Sequence, residues 1–125
     1  MRARRLPIRP VTDFLPLTPA IAHILLALAD QERHGYAIMQ EVASLTDGRT
    51  RMGPGTLYGT IKRLLAAGLI EEADERPDPE LDDERRRYYR ITRLGSQVLE
   101  AESARMATLL SAARAKKVFP KPRRA

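Results

Sequence analysis

From Arg93 to Lys117 the chain runs without a proline, in a stretch rich in Ala, Leu, Glu and Arg. As a helix at ~1.5 Å per residue it would be about 37 Å long. The whole chain has 125 residues, enough for one domain and not for two. A helix of that length outreaches so small a domain. Leu94, Val98 and Ala101 give it an early apolar stripe. Val98, Glu102, Met106, Leu109, Leu110 and Ala113 continue it, with one acid interrupting. The far half must find a second apolar surface, and another copy of the chain is the simplest one. A frayed, exposed helix end is the alternative.

Three shorter helices are expected ahead of it. Thr18 is a good N-cap and Pro19 suits the first turn. Ile21, Ile24, Leu25 and Leu28 then follow the spacing of one buried face, fading near Asp30, with His23 off the stripe and at the surface. A second helix is expected from about Gly35 to Leu45. It has Tyr36, Met39, Val42 and Ala43 on one side, with Ile38 and Leu45 beside them, and Asp47-Gly48 ends it. The third starts at Gly53-Pro54, buries Leu57, Ile61, Leu64 and Leu65, and stops at Gly68. Thr56, Tyr58, Gly59, Thr60, Lys62 and Arg63 lie away from its stripe or at the edges, a face with hydroxyls, two cations and no acid. Two short strands follow, one beginning at Leu69-Ile70 and one over Tyr88 to Thr92. Tyr88 and Tyr89 should point to opposite faces of the second. Thr92 caps the long helix.

Helix, helix, helix, hairpin and long helix is the order of a winged helix-turn-helix, mainly α with a small β-hairpin, extended by a C-terminal dimerisation helix. The expected division is a flexible basic arm over 1–16, the winged domain over 17–92, the dimerisation helix over 93–117 and a basic tail over 118–125. In that arrangement the third helix enters the major groove of DNA, which is wide enough for an α-helix. Its N-terminal turn faces phosphate. A dimer sets two such helices about one duplex turn, roughly 34 Å, apart.

Charge supports that partner. Lys plus Arg number 22 against 16 for Asp plus Glu, a net +6. Nine of the acids fall between Glu71 and Glu84, where Arg76 is the one base, so the remainder carries 21 bases and seven acids. A small domain with that imbalance attracts polyanions. On charge, nucleic acid is the first candidate and an anionic membrane the second, with a soluble domain from an arginine-rich proteome as the plainer alternative; with the architecture added, double-stranded DNA is the expected partner.

Several chemistries are excluded. Cysteine is absent, which removes disulfides, thiolate metal sites and thiol nucleophiles. His23 and His34 are too few for an all-His metal centre. Gly53 to Gly55 lacks the spacing and the following Lys-Ser or Lys-Thr of a nucleotide-binding loop, and the acidic run lacks the order of a calcium loop. No Ser-His-Asp set can be assembled. The chain is expected to be no enzyme and to need no cofactor or metal. No apolar run approaches the roughly 18 residues that span a bilayer, and no apolar region follows the basic start as a secretory signal requires. A cytoplasmic protein with no membrane partner is expected.

The residues also carry a resemblance. His34-Gly35-Tyr36, Gly53-Pro54-Gly55-Thr56-Leu57-Tyr58, Lys62-Arg63-Leu64, Gly68-Leu69-Ile70 and Arg87-Tyr88-Tyr89-Arg90-Ile91-Thr92-Arg93-Leu94-Gly95 resemble, in order and spacing, the PadR family of bacterial transcriptional regulators. The likeness runs from about Leu17 to Ala113 and points to the short branch with one C-terminal helix. It implies a winged-helix homodimer that binds an operator, usually as a repressor released by a small molecule. The chain departs from the pattern in four ways. Gly53 stands where the family usually has Ser, and Gly59 where it often has Pro. The wing is unusually acidic, and there is no Trp to stack planar drugs at a dimer interface.

The candidate DNA-binding residues are Tyr36, Gly55, Thr56, Tyr58, Thr60, Lys62, Arg63, Arg85, Arg86 and Arg87. Tyr58 contacts phosphate or base, or packs its ring against the wing. Lys62 and Arg63 contact phosphate and position rather than specify, or form a solvated face. Thr56 meets phosphate or a thymine methyl, or bonds backbone in its own turn. Tyr36 resembles a family position near the DNA backbone, or is half-buried core. His34 closes the turn before the second helix. The dimer candidates are Leu17, Ile21, Ile24, Leu25, Leu99, Met106, Leu109, Leu110 and Ala113. A gap lined by Leu17, Ile21, Leu99, Met106 and Leu110 would admit a small apolar or aromatic effector; the plainer reading is a closed interface core. A winged-helix adaptor that meets an acidic protein through its basic face is the alternative function.

Overall fold

In a computed structural model of the protein, which describes residues 10–73 and 87–120, four helices surround a small three-stranded sheet. Thr18 caps α1 (Pro19–Ala27), its side chain accepting the Ile21 N–H at 3.3 Å. β1 (Arg33–His34) leads straight into α2 (Gly35–Leu45), and His34 is that helix's cap, its Nδ1 accepting the Ala37 N–H at 3.1 Å. α3 (Pro54–Ala67) begins on Gly53 and Pro54 and ends on Gly68, whose φ of 77° is the left-handed conformation that a glycine stop supplies. β2 (Ile70–Ala73) and β3 (Tyr88–Ile91) form the hairpin, and Thr92 caps α4 (Arg93–Ala115) by accepting the Gly95 N–H at 3.0 Å.

The core lies between α1, α2, α3 and the first turns of α4. Ile24, Leu25, Ile38, Val42, Leu57 and Val98 have no exposed surface. The buried face of α2 is Gly35, Ile38 and Val42, turned away from the side bearing Tyr36, which is 41% exposed. Gly35 faces α3, and residues three and seven further on share its face.

Two expectations are corrected. Residues 11–16 are not an arm. Val11–Phe14 form a 3-10 turn, and Val11, Phe14 and Leu15 pack against the core, because three apolar side chains there find a surface beside α4. The hairpin has a third strand: Arg33 pairs with Tyr89 and His34 with Tyr88, so β3 is central in the order β1-β3-β2, antiparallel throughout. A two-residue strand is too short to show any alternation.

One knot ties three elements together. Thr92 donates from its hydroxyl to the Gly68 carbonyl at 2.6 Å and from its N–H to the Leu69 carbonyl at 3.1 Å. Gly95 lies directly against that Leu69 carbonyl, with no room for a β-carbon between them. The end of α3, the start of the wing and the start of α4 therefore meet at one point.

Past Glu102, α4 leaves the domain. Every residue from Ser103 to Ala112 is exposed. The helix ends with Lys117 in the left-handed region, the Val118 N–H bonded to the Ala113 carbonyl at 2.9 Å, and Arg114 over the Phe119 ring at 4.6 Å. Among the described residues no helix is long and apolar enough to cross a membrane.

Candidate nucleic-acid interface

The site begins with the absence of a capping side chain. Gly53 offers none to α3, so the N–H groups of Gly55 and Thr56 face outward in the first turn, where helix geometry leaves them without intrahelical acceptors. Together with the helix dipole they favour an anion. Gly53, Pro54, Gly55 and Thr56 are all exposed. A β-carbon at Gly53, Gly55 or Gly59 would meet nothing within 4 Å, so packing does not require these glycines. Their effect is a low outer surface that a duplex can approach closely.

Two cations sit on this helix and diverge. Lys62 is exposed and lines a hollow of about 360 Å³ between α3 and the sheet, which it shares with Tyr58, Tyr89, Glu72 and Arg87. Lys62 from α3 and Arg87 from the foot of β3 thus converge, with one carboxylate beside them. Arg63 turns to the other side. Its guanidinium donates to the Thr60 hydroxyl at 3.3 Å, and it stands at a cleft of about 420 Å³ with Phe14, Leu17, Ile21, Leu64 and Leu69.

Thr60 is the correction on this helix. It is 2% exposed, and its hydroxyl donates to the Thr56 carbonyl at 2.8 Å. It lies inside the domain and is not part of the outward face. Tyr58 is half-buried and packs against Gly35. Tyr36 stands exposed and stacks on His34 (centroids 6.5 Å), which meets Tyr88 edge-on at 5.4 Å. This row of rings from α2 to the wing was not anticipated; the pairing of β1 with β3 creates it. Arg85 and Arg86 lie outside the described residues.

Other arginines are committed to the fold. Arg33 donates from Nε to the Ala27 carbonyl at 2.8 Å and pairs with Glu41 at 3.0 Å and Asp30 at 3.5 Å. Arg90 pairs with Glu71 at 2.8 Å and Glu32 at 3.5 Å. Its hydrogen bond and attraction to Glu71 hold its pKa above the ordinary arginine value.

The dimer candidates divide in two. Ile24 and Leu25 are wholly buried in the chain's own core and cannot meet a partner; this corrects the expectation. Leu17, Ile21 and Leu99 are half-buried against the core. Met106, Leu109 and Leu110 are 49%, 65% and 44% exposed, with Ala113 on the same far stretch of α4. The cleft that Leu17 and Ile21 line opens toward α3.

Comparison with known proteins agrees with this geometry. Residues 24–101, more than half of the chain, match the family described as the transcriptional regulator PadR-like family. The transcriptional regulator Rv3488 of Mycobacterium tuberculosis is 42% identical over 77 residues, 62% of this chain and 65% of that protein. An uncharacterized 37.1 kDa protein in transposon TN4556 of Streptomyces fradiae is 37% identical over 86 residues, 69% of this chain but 22% of its own length. The chain thus spans about a fifth of one curated relative and just under two thirds of the other. The crystal structure of a PadR family transcription regulator from Clostridium difficile R20291 superimposes with a TM-score of 0.60 at 22% identity, over 78% of this chain and 96% of that one, which establishes the winged-helix fold. The chain is a member of the PadR-like family of transcriptional regulators.

Proposed function

We propose that the protein is a homodimeric, sequence-specific DNA-binding repressor that acts in the cytoplasm and is released from its operator by a small molecule. The observation that carries this reading is the outward face of α3. An uncapped N-terminal turn, three glycines that packing does not require and the convergence of Lys62 with Arg87 form a surface for a phosphate backbone. Gly55, Thr56, Lys62 and Arg87 are the contacts, with Tyr36 at the edge; Arg63, on the other flank of α3, and Arg85 and Arg86, outside the described residues, are assigned to the same duplex from the sequence. Tyr58 acts by holding α3 against α2.

Dimerisation is supported by Met106, Leu109 and Leu110, apolar and exposed on a helix that has left its own domain. Release is supported by the cleft beside Arg63. Its volume of about 420 Å³ lies within the roughly 300–1,000 Å³ range of small-molecule sites, and it touches the recognition helix itself. The adaptor reading requires large apolar anchors on the outer face of α3; the exposed residues of that helix are Pro54, Gly55, Thr56, Gly59, Lys62, Arg63 and Ala66, none of them a large apolar side chain.

The test is fluorescence anisotropy with the DNA upstream of the protein's own gene and a scrambled duplex, across a salt series. Binding to the first that persists at salt that abolishes the second supports the reading. Equal, steeply salt-sensitive binding to both overturns specificity at that DNA. No binding to either at low salt overturns DNA binding and favours the adaptor.

A further inference from the structure

The link from α2 to α3 carries two arginines, Arg49 and Arg51. Both are exposed, and among the described residues neither forms an ion pair. Arg33, Arg90 and Arg105, by contrast, are each matched to a carboxylate. Asp47, the one acid of the link, is also exposed and pairs with neither arginine. We infer that Arg49 and Arg51 form a second phosphate clamp, which holds the DNA backbone at the N-terminal end of α3, separately from Lys62 and Arg87. The inference rests on the DNA-binding reading and extends it to a segment outside both α3 and the wing.

The link is not slack. The Thr46 hydroxyl donates to the Val42 carbonyl at 2.9 Å and accepts the Thr50 N–H at 3.0 Å. The Gly48 N–H reaches back to the Ala43 carbonyl at 2.7 Å, and the Arg49 N–H to the Thr46 carbonyl at 3.0 Å. Asp47 and Gly48, with φ of 51° and 78°, turn the chain. Arg49 and Arg51 therefore stand on backbone tied to the last turn of α2. The Arg51 guanidinium folds over Gly48, its Nη2 3.4 Å from where a β-carbon there would lie. It shares a hollow with Gln40 and Ala43 of α2. A guanidinium plane suits a phosphate, and a side chain already held in place loses less freedom on binding one.

Two residues beyond Arg51 the chain reaches Gly53 and the uncapped first turn of α3. The two guanidinium groups and the outward N–H groups thus follow one another along the chain, and all of them favour an anion. From Pro54 to Lys62 the helix rises about 12 Å at ~1.5 Å per residue. That is close to the width of the major groove, roughly 12 Å, so the two sets of cations meet separate phosphates. The plainer role for the arginines is to complement the dipole at the C-terminal end of α2, whose last turn holds no base.

The experiment separates these roles. Fluorescence anisotropy with a mixed-sequence duplex across a salt series needs no operator, because phosphate contacts act on any sequence. Arg49→Ala with Arg51→Ala should flatten the dependence of log K on log salt by about 1.8 and weaken binding at low salt at least about tenfold. Adding Lys62→Ala should flatten it by about a further 0.9. Arg49→Lys with Arg51→Lys should keep most of the parental slope, since the charges remain. Arg114→Ala with Lys116→Ala removes the same charge from the far end of α4 and should leave the slope as it was. A parental slope in the Arg49 and Arg51 alanine pair overturns the clamp, even where its melting temperature falls, since the helix-dipole role alone predicts that result. Equal flattening by the Arg114 and Lys116 pair overturns it too, because net charge would then suffice. No further flattening on adding Lys62→Ala overturns the separate phosphates. Circular dichroism checks the fold, and where the alanine pair does not fold, Arg49→Gln with Arg51→Gln takes its place. No binding of the parent to the duplex at low salt overturns DNA binding itself.

Discussion

The ring of Tyr58, on α3, fills the space beside the Cα of Gly35 at the start of α2; a β-carbon there would lie 2.7 Å from Tyr58 Cζ. α2 and α3 therefore meet ring against backbone. The contact explains both why Gly35 is buried in a helix and why Tyr58 is only half exposed.

Gly35→Ala should lower stability by about 1–3 kcal/mol through overpacking. Adding Tyr58→Leu should recover part of that loss, because it removes the ring that the new β-carbon strikes, so the two substitutions are not additive. Thermal unfolding of the two single variants and the double variant checks this. Additive losses would mean that the ring and the glycine do not press on one another in solution.

Lys62→Ala and Arg87→Ala should each weaken operator binding and each flatten the dependence of log K on log salt by about 0.9, leaving the fold intact. Thr60→Ser should change neither, because its hydroxyl serves the Thr56 carbonyl within the helix. Salt-series anisotropy on the three variants gives the slopes. A Lys62 variant with the parental slope would remove that residue from the phosphate contacts.

Much of this was legible in the chain. Gly53-Pro54 and Gly68 bracket α3 because each has a conformational task at its position, and Thr18, His34 and Thr92 cap because their side chains accept the backbone N–H groups behind them. Thr60 was misread because it is polar. Yet it lies three residues after Leu57 and four before Leu64 and so falls on the buried stripe, its hydroxyl satisfied internally. Periodicity also could not say which core Ile24 and Leu25 would enter, their own or a partner's, since both demand the same spacing. β1 was invisible because two residues have no period, and the row of rings at His34 depends on it.

Leu109→Glu combined with Leu110→Glu should convert the proposed dimer to a monomer at micromolar concentration. The substitutions place charges on the exposed apolar stretch that a second copy would desolvate. Sedimentation velocity measures the outcome, and a dimer that persists would place the interface elsewhere. The winged domain should melt as before, because neither side chain touches its core.

The hydrogen bond from Arg105 holds the Glu102 carboxyl below its ordinary value of 4.5, against the upward push of burial. With the folded value depressed, the unfolded chain takes up the proton first on acidification. The contribution of the pair is therefore full above the ordinary value and is lost as pH falls through the folded one. Between about pH 5 and pH 2 the melting temperature should fall less steeply in Glu102→Gln than in the parent. Parallel curves would show that the pair adds nothing to stability.

The knot at Gly68, Leu69, Thr92 and Gly95 has a genetic consequence. Reading DNA and pairing with a second copy are usually separable by mutation when they occupy different elements. Here the cap of α3, the helix proposed to read DNA, and the cap of α4, the helix proposed to pair, are joined through the adjacent Gly68 and Leu69 carbonyls. A methyl group added at Gly95 must push one of them aside. A screen for loss of operator binding and an independent screen for loss of self-association should therefore recover the same lesion at this position, although it touches neither DNA nor partner.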